Sequence, residues 1–253
     1  MSHHKVEGTQ HSGAAFIILV AIALSLFGLV LVGDSIAGDA DKLVKQLRNR
    51  DPLIREEAAR RLCDSKDPSA VGPLIVLLKK EENGSVRSSA EDALVSIGAP
   101  AEEPLVKMLK DDSWRVRRRA VRTLGKIRDP RTIEPLLASM KTDDDDYVRK
   151  SAARAIGEIN DPRVGEILIP ALKNRDWEVI AGAYAFFIRR GEPGSEAVLI
   201  ETLNRARSKR MTVDFLNCGN RQLEEAAGQC AKKRCYSMPS TVDWEVPKWG
   251  QAL

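Results

Sequence analysis

The chain has 253 residues, of which 30% are charged and 5% aromatic, and its net charge is +4. That length fits one or two domains, and so few aromatics argue against an ordinary sheet or barrel core. So mild a charge does not by itself demand a polyanionic partner. All three histidines, His3, His4 and His11, precede the first long apolar run. The rest of the chain has no imidazole for catalysis or for holding a metal.

A short tail (1–13) leads into Ala14–Val32, 19 residues without a charge. As a helix this run would span about 28 Å, close to the thickness of the hydrocarbon layer. Two readings fit it, a retained transmembrane anchor and a signal peptide. An anchor suits the length, since a signal peptide's apolar core runs to about 7–15 residues. Ser35-Ile36-Ala37 offers a small-residue cleavage site near Ala37. Lys and Arg counted within about 20 residues favour the bulk of the chain inside. The nearest residues, with the terminal amine, favour it outside, and the cleavage site tips the expectation to the extracytoplasmic side. A linker (33–40) follows.

From residue 41 the sequence repeats. Leu43, Leu74, Leu105, Leu136, Leu168 and Leu199 are separated by 31, 31, 31, 32 and 31 residues. Four positions after each stands Leu47, Leu78, Leu109, Met140, Leu172 or Leu203, a helical contact pair. Pro73, Pro104 and Pro135 are expected in the first turns of these helices, where the missing N–H is not needed. A second helix follows in each unit, marked by Ile54, Val86, Val116, Val148 and Val179. Ala58, Ala90, Ala120, Ala152 and Ala183 come four residues later, then Leu62, Leu94, Leu124, Ile156 and Phe187. This is one helical face. Prolines after Asp67, Ala99, Asp129, Asp161 and Glu192 read as stop signals.

A helical hairpin every 31 residues predicts an all-α fold, an α-solenoid whose units bury their apolar sides against one another. Five clear hairpins run from Asp41 to Arg190, with a degenerate sixth from Ser195. The solenoid is placed at 41–207, capping helices at 208–235 and an irregular tail at 236–253.

The Val-Arg-x-x-Ala-x-x-x-Leu helix and the Asp-Pro turn resemble HEAT repeats of the short type named after phycobilisome lyases, over about 190 residues. Asp214–Lys233 resembles the closing segment of many bacterial HEAT-repeat proteins, although Cys230 and Cys235 stand where Trp and Gly are usual. The resemblance implies a non-catalytic module that binds a protein partner without a cofactor. Two HEAT-like families do chemistry. One hydroxylates deoxyhypusine at a di-iron centre held by His-Glu pairs, which this chain lacks after His11. The other attaches bilins, and a bilin-lyase-like or enzyme-accessory role is the alternative reading.

Seven basic residues lie between Arg115 and Arg128. Arg115, Arg118, Arg119, Arg122 and Lys126 are expected to form the stripe opposite Val116, Ala120, Leu124 and Ile127. Other units do not repeat that stripe. It reads as a solvated face or, more sharply, as a surface for an acidic protein partner. Nucleic acid is not expected, because its groove would continue the charge through neighbouring units and interleave aromatics. Trp114 and Trp177 share a register and read equally as exposed anchors or as packing between turns. No small-molecule substrate is expected.

Arg55, Arg87, Arg117 and Arg149 each follow a marker, with Asp51, Glu82, Asp112 or Asp145 shortly before. These pairs are expected to join turn and helix, and Asp51 and Asp176 to cap helices. Asp143–Asp146 lacks the spacing and glycine of a calcium loop and reads as an exposed acidic turn. Cys63, Cys218, Cys230 and Cys235 lack zinc-site spacing. Cys230 and Cys235 would form a disulfide only in an oxidising compartment. The tail bearing Trp244 and Trp249 either docks back on the last hairpin or carries a recognition motif.

Overall fold

The computed structural model describes residues 39–234 and 246–251. The Ala14–Val32 run, Cys235 and Trp244 lie outside the described residues. Among the described residues the backbone forms thirteen α-helices and no strand, and no helix is long and apolar enough to cross a membrane.

Six first helices alternate with six second helices. The first helices are α1 (described over 39–46), α3 (Val71–Lys80), α5 (Ala99–Met108), α7 (Ile133–Thr142), α9 (Val164–Leu172) and α11 (Glu196–Ala206). The second are α2 (Pro52–Ser65), α4 (Gly84–Ile97), α6 (Trp114–Ile127), α8 (Asp146–Glu158), α10 (Trp177–Arg190) and the short α12 (Lys209–Leu216); α13 (Arg221–Arg234) closes the end. The repeat positions make the core. Leu43, Leu74, Leu105, Leu136, Leu168 and Leu199 are buried, and so are the five alanines and the residues four after them. One marker departs. Ile54 is exposed, because no earlier hairpin among the described residues covers α2.

Polar termini set the helix ends. The Asp51, Asn83, Asp145 and Asp176 side chains accept from backbone N–H groups at the starts of α2, α4, α8 and α10. Each such cap is worth about 1 kcal/mol. Asp67 and Asp129 likewise start 3-10 turns at Pro68–Ala70 and Pro130–Thr132. Between α4 and α5 there is only Gly98, whose φ of 73° suits glycine. Helix α5 therefore begins early, and Pro104 falls inside it rather than in its first turn.

The second helices stack along the molecule: α2 on α4, α6 on α8, α8 on α10. Glycine permits the closest approaches. A Cβ on Gly125 would lie 2.7 Å from Ala155 Cβ, and one on Gly182 would lie 2.6 Å from Lys150 O. Gly182→Val should therefore push α8 and α10 apart and cost about 1–3 kcal/mol by overpacking. An unshifted urea midpoint would refute that contact.

Between α4 and α6 the pattern breaks. Val95 stands at the register of Gly125 and Gly157, and Arg119 at that of Ser151 and Gly182. Of the four consecutive pairs from α2 to α10, α4 and α6 pack least closely. Two bulky residues in place of small ones account for this seam.

At the other end, α13 buries Leu223, Ala227 and Cys230. The tail at 246–251 returns to the last hairpins. The Trp249 N–H donates to Cys218 O at 2.8 Å and the Gly250 N–H to Ile188 O at 2.9 Å. The second bond satisfies a carbonyl in the last turn of α10. Docking is the reading that holds for this part of the tail.

Candidate partner-binding surface

The first turns of the second helices carry a ladder of arginines. Arg55 donates through Nε to Glu81 Oε2 at 2.8 Å and through Nη2 to Oε1 at 3.1 Å. Arg117 donates to both oxygens of Asp143, each at 2.8 Å, and Arg149 donates to Asp176 at 2.7 Å. Each of these carboxylates belongs to the turn of the next hairpin rather than to the residues the sequence suggested, and Arg149 alone adds an acid of its own hairpin, Asp146. The own turn supplies carbonyls instead: Asn49 O and Arg50 O for Arg55, Asp111 O and Asp112 O for Arg117. A planar fork of donors is suited to closing both at once. The rungs tie one hairpin to the next.

The four-aspartate turn is largely consumed by this ladder. Asp143 is buried against Arg117, Asp144 also bonds Arg117, Asp145 caps α8, and Asp146 bonds Arg149. The expectation of a wholly exposed turn is corrected at Asp143, which the ladder draws inward. Burial pushes its carboxyl up, but Arg117, the Asp145 N–H and Asp144 together outweigh that and hold it below the ordinary value. A carboxyl depressed by folding adds stability above its unfolded value, about 3.9, and loses it as pH falls. Asp143→Ala should cost about 1.5–3 kcal/mol at neutral pH, and the gap from wild type should narrow at pH 3. Equal gaps in urea titrations at both pH values would contradict the assigned pair.

Hairpin two lacks its rung. The Arg87 Nη1 donates to Glu82 O at 3.2 Å, but among the described residues no carboxylate lies within ion-pair distance. Asp111, the acid at the corresponding place in the next turn, pairs with Lys79 at 2.7 Å instead.

The basic run of α6 divides into two sets. Trp114 stacks on Tyr147 of α8 with centroids 5.9 Å apart. Arg115 lies over Trp114 at 4.8 Å and Arg118 over Tyr147 at 5.7 Å, and Arg118 also donates to Ser151 Oγ at 3.3 Å. Two guanidiniums thus flank two rings, a cation–π arrangement. Tyr147 is 55% exposed, so the cluster is open to a partner.

Of the second set only Arg119 leaves the outward stripe, which is corrected there; Arg122 and Lys126 stay exposed and pair with acids of α4. Arg119 is half-buried and its Nη1 donates to Leu78 O and Lys79 O, at 2.8 and 2.9 Å, at the end of α3. A cation is favourable at a helix C-terminus. Burial, then the charges of Arg87 and Arg115, hold its pKa below the usual guanidinium value. Arg122 Nη2 lies 3.7 Å from the buried Glu91, and Lys126 Nζ lies 3.2 Å from both Glu91 and Asp92. Across a loose seam, ions fill the space that small residues fill elsewhere.

Trp177 does not join Trp114. It packs on Tyr184, centroids 6.1 Å apart, and so reads as packing. Tyr184 in turn donates to buried Asp214. Burial and the Asp214 charge push its pKa far up, keeping it a neutral donor. Tyr147 completes the surface but was not singled out as a partner-binding residue. Tyr147 had a signal, since it stands in the register of Arg115, two before the ladder arginine. Among the described residues no group of His, Cys, Asp and Glu is placed to hold a metal ion.

A family model of HEAT repeats matches residues 40–102, 96–156 and 133–212. The chain belongs to the HEAT-repeat family. This HEAT-repeat chain is similar to the complex of CpcE and CpcF of phycocyanin lyase from Nostoc sp. PCC7120. The identity is 20%, over 65% of this chain and 99% of that one, with a TM-score of 0.43. It is similar to a designed armadillo repeat protein in complex with the peptide (KR)4, at 22% identity over 76% and 97%, TM-score 0.40. It also resembles an engineered protein at 25% identity over 77% and 95%, TM-score 0.36. No curated protein matches the chain.

Proposed function

We propose that the chain is a non-catalytic scaffold that holds a protein partner on the edge formed by the first turns of α6 and α8. The observation that carries this reading is the open Trp114–Tyr147 stack between Arg115 and Arg118. Aromatic and arginine side chains supply most binding energy at protein interfaces, since they combine apolar area with directed hydrogen bonds. Here rigid helices hold them, so little freedom is lost when a partner docks. The ladder fixes the relative placement of neighbouring hairpins and hence of the two rings.

The scaffold is tethered, in this proposal, through the uncharged run at Ala14–Val32, with the repeats on the extracytoplasmic side. Length supports an anchor over a cleaved signal. N-terminal sequencing of protein extracted from membranes would return a start near residue 1 for an anchor, and one near Ala37 for the alternative.

Cross-linking in native membranes, followed by purification, tests the binding reading. Tyr147→Ala should lose the partner recovered with wild type while keeping its melting curve. Equal recovery would end the assignment of this surface. Turnover of a substrate by the purified protein would end the non-catalytic reading.

A further inference from the structure

Arg115 and Arg118 are held by rings rather than by acids. Arg115 lies 4.8 Å over Trp114 and Arg118 5.7 Å over Tyr147, and the two rings stack with centroids 5.9 Å apart. The two arginines also stand three positions apart on α6, which makes them neighbours on one helix face. These contacts gather both guanidiniums and both rings into one cluster. Among the described residues neither guanidinium lies within ion-pair distance of a carboxylate. The four acids of the facing turn are engaged elsewhere: Asp143 and Asp144 with Arg117, Asp145 in the cap of α8, and Asp146 with Arg149. Glu178, further along, pairs with Lys150. A guanidinium on a ring uses its flat face, so its N–H edge stays free for bonds in its own plane. Arg118 gives one donor, Nε, to Ser151 Oγ, and among the described residues Arg115 gives none.

We propose that this cluster receives a short acidic segment of the partner protein, in which Asp or Glu residues flank an apolar or aromatic side chain. The inference rests on the scaffold reading and names the chemistry of its partner. Carboxylates bond the N–H edges of Arg115 and Arg118, and the side chain between them covers the exposed ring of Tyr147. Each half of that motif answers one observation. Two cations without a counter-charge favour an incoming anion, and a carboxylate matches two donors of one guanidinium, as Asp143 does on Arg117. An open ring favours apolar cover, which also excludes water from the charge pairs and strengthens them. The rings hold both cations in place beforehand, so little side-chain freedom is lost on docking. Nucleic acid, the other polyanion, needs free cations continued along a strand. The rest of the basic run does not supply them: Arg117 is on Asp143, Arg119 on the α3 carbonyls, and Arg122 and Lys126 on Glu91.

The test uses the full-length protein and a fluorescein-labelled Glu-Glu-Phe-Glu-Glu peptide, read by fluorescence anisotropy. Glu-Glu-Ser-Glu-Glu, Gln-Gln-Phe-Gln-Gln and a twelve-nucleotide oligothymidine are run alongside. Wild type should bind the first peptide best, and binding should weaken as salt is raised. Arg115→Gln and Arg118→Gln should each weaken it about ten-fold, the effect of losing a charge-assisted bond. Arg61→Gln, which removes an exposed charge from α2, should bind as wild type does. Melting curves of all three variants should stay close to wild type, since none of these arginines pairs with a carboxylate among the described residues. Absence of binding, undiminished binding by either α6 variant, or an equal loss in Arg61→Gln would overturn the proposal. Equal binding of the serine or the glutamine peptide would overturn the motif, the first by its apolar half and the second by its acidic half. Tighter binding of the oligothymidine, lost in the same variants, would overturn it in favour of nucleic acid. If the cross-linked partner needs Tyr147 but neither Arg115 nor Arg118, the scaffold stands and the acidic motif falls. If it needs none of them, both fall.

Discussion

Phe215→Ala is expected to destabilise the C-terminal end by about 3–5 kcal/mol, the range for truncating a buried Phe. Phe215 is fully buried and meets Tyr184 edge-on, with ring centroids 6.1 Å apart. It lies on α12, a helix of 8 residues. So short a helix cannot persist by its own hydrogen bonds and depends on packing. The chief packing of α13 is on α12, so losing Phe215 should loosen both. Hydrogen exchange should quicken from α11 to α13 and stay slow in α4 to α8, because repeats transmit stability only through their neighbours. Uniformly faster exchange, or none, would contradict this division.

Leu124→Ala is expected to cost about 2–5 kcal/mol. Leu124 is fully buried in α6, where it belongs to the contact with α5 in its own hairpin and with the helices on either side. A central repeat carries two junctions, so the damage should spread further than at an end. Urea unfolding, which is sharp in a well-coupled stack, should broaden or split as the halves on either side of α6 separate. An unchanged transition would mean that Leu124 does not face the core.

The apolar register could be read from sequence because burial selects residue type strongly at each repeat. Leu74, Ala90 and Leu124 recur since each fills the same space in each hairpin. The polar positions were harder for a physical reason. A helical period separates the buried face from the rest but does not separate solvent from the flank of a neighbouring helix. Arg119 therefore looked outward, yet it bonds to the end of α3, while the exposed Arg122 and Lys126 also reach Glu91 of α4. The same limit concealed the direction of the ladder. Asp112 is close to Arg117 in sequence, but the bidentate partner is Asp143, 26 residues on, because stacking brings the next turn alongside. Trp114 and Trp177 share a register, and only their neighbours decide between them: Tyr147 extends an open edge, and Tyr184 draws Trp177 toward the core. Pro104 was misplaced because the link before α5 is a single glycine.

The reduced contact between α4 and α6 has a mechanical meaning. In a chain of blocks joined only to their neighbours, bending concentrates at the weakest joint, and this joint holds paired ions where α6–α8 and α8–α10 hold close-packed glycine. The two hairpins before it and the four after it can then tilt as separate levers with little loss of buried area. A load that pulls the ends apart would part the stack between Ile97 and Trp114 before any other place from α2 to α10.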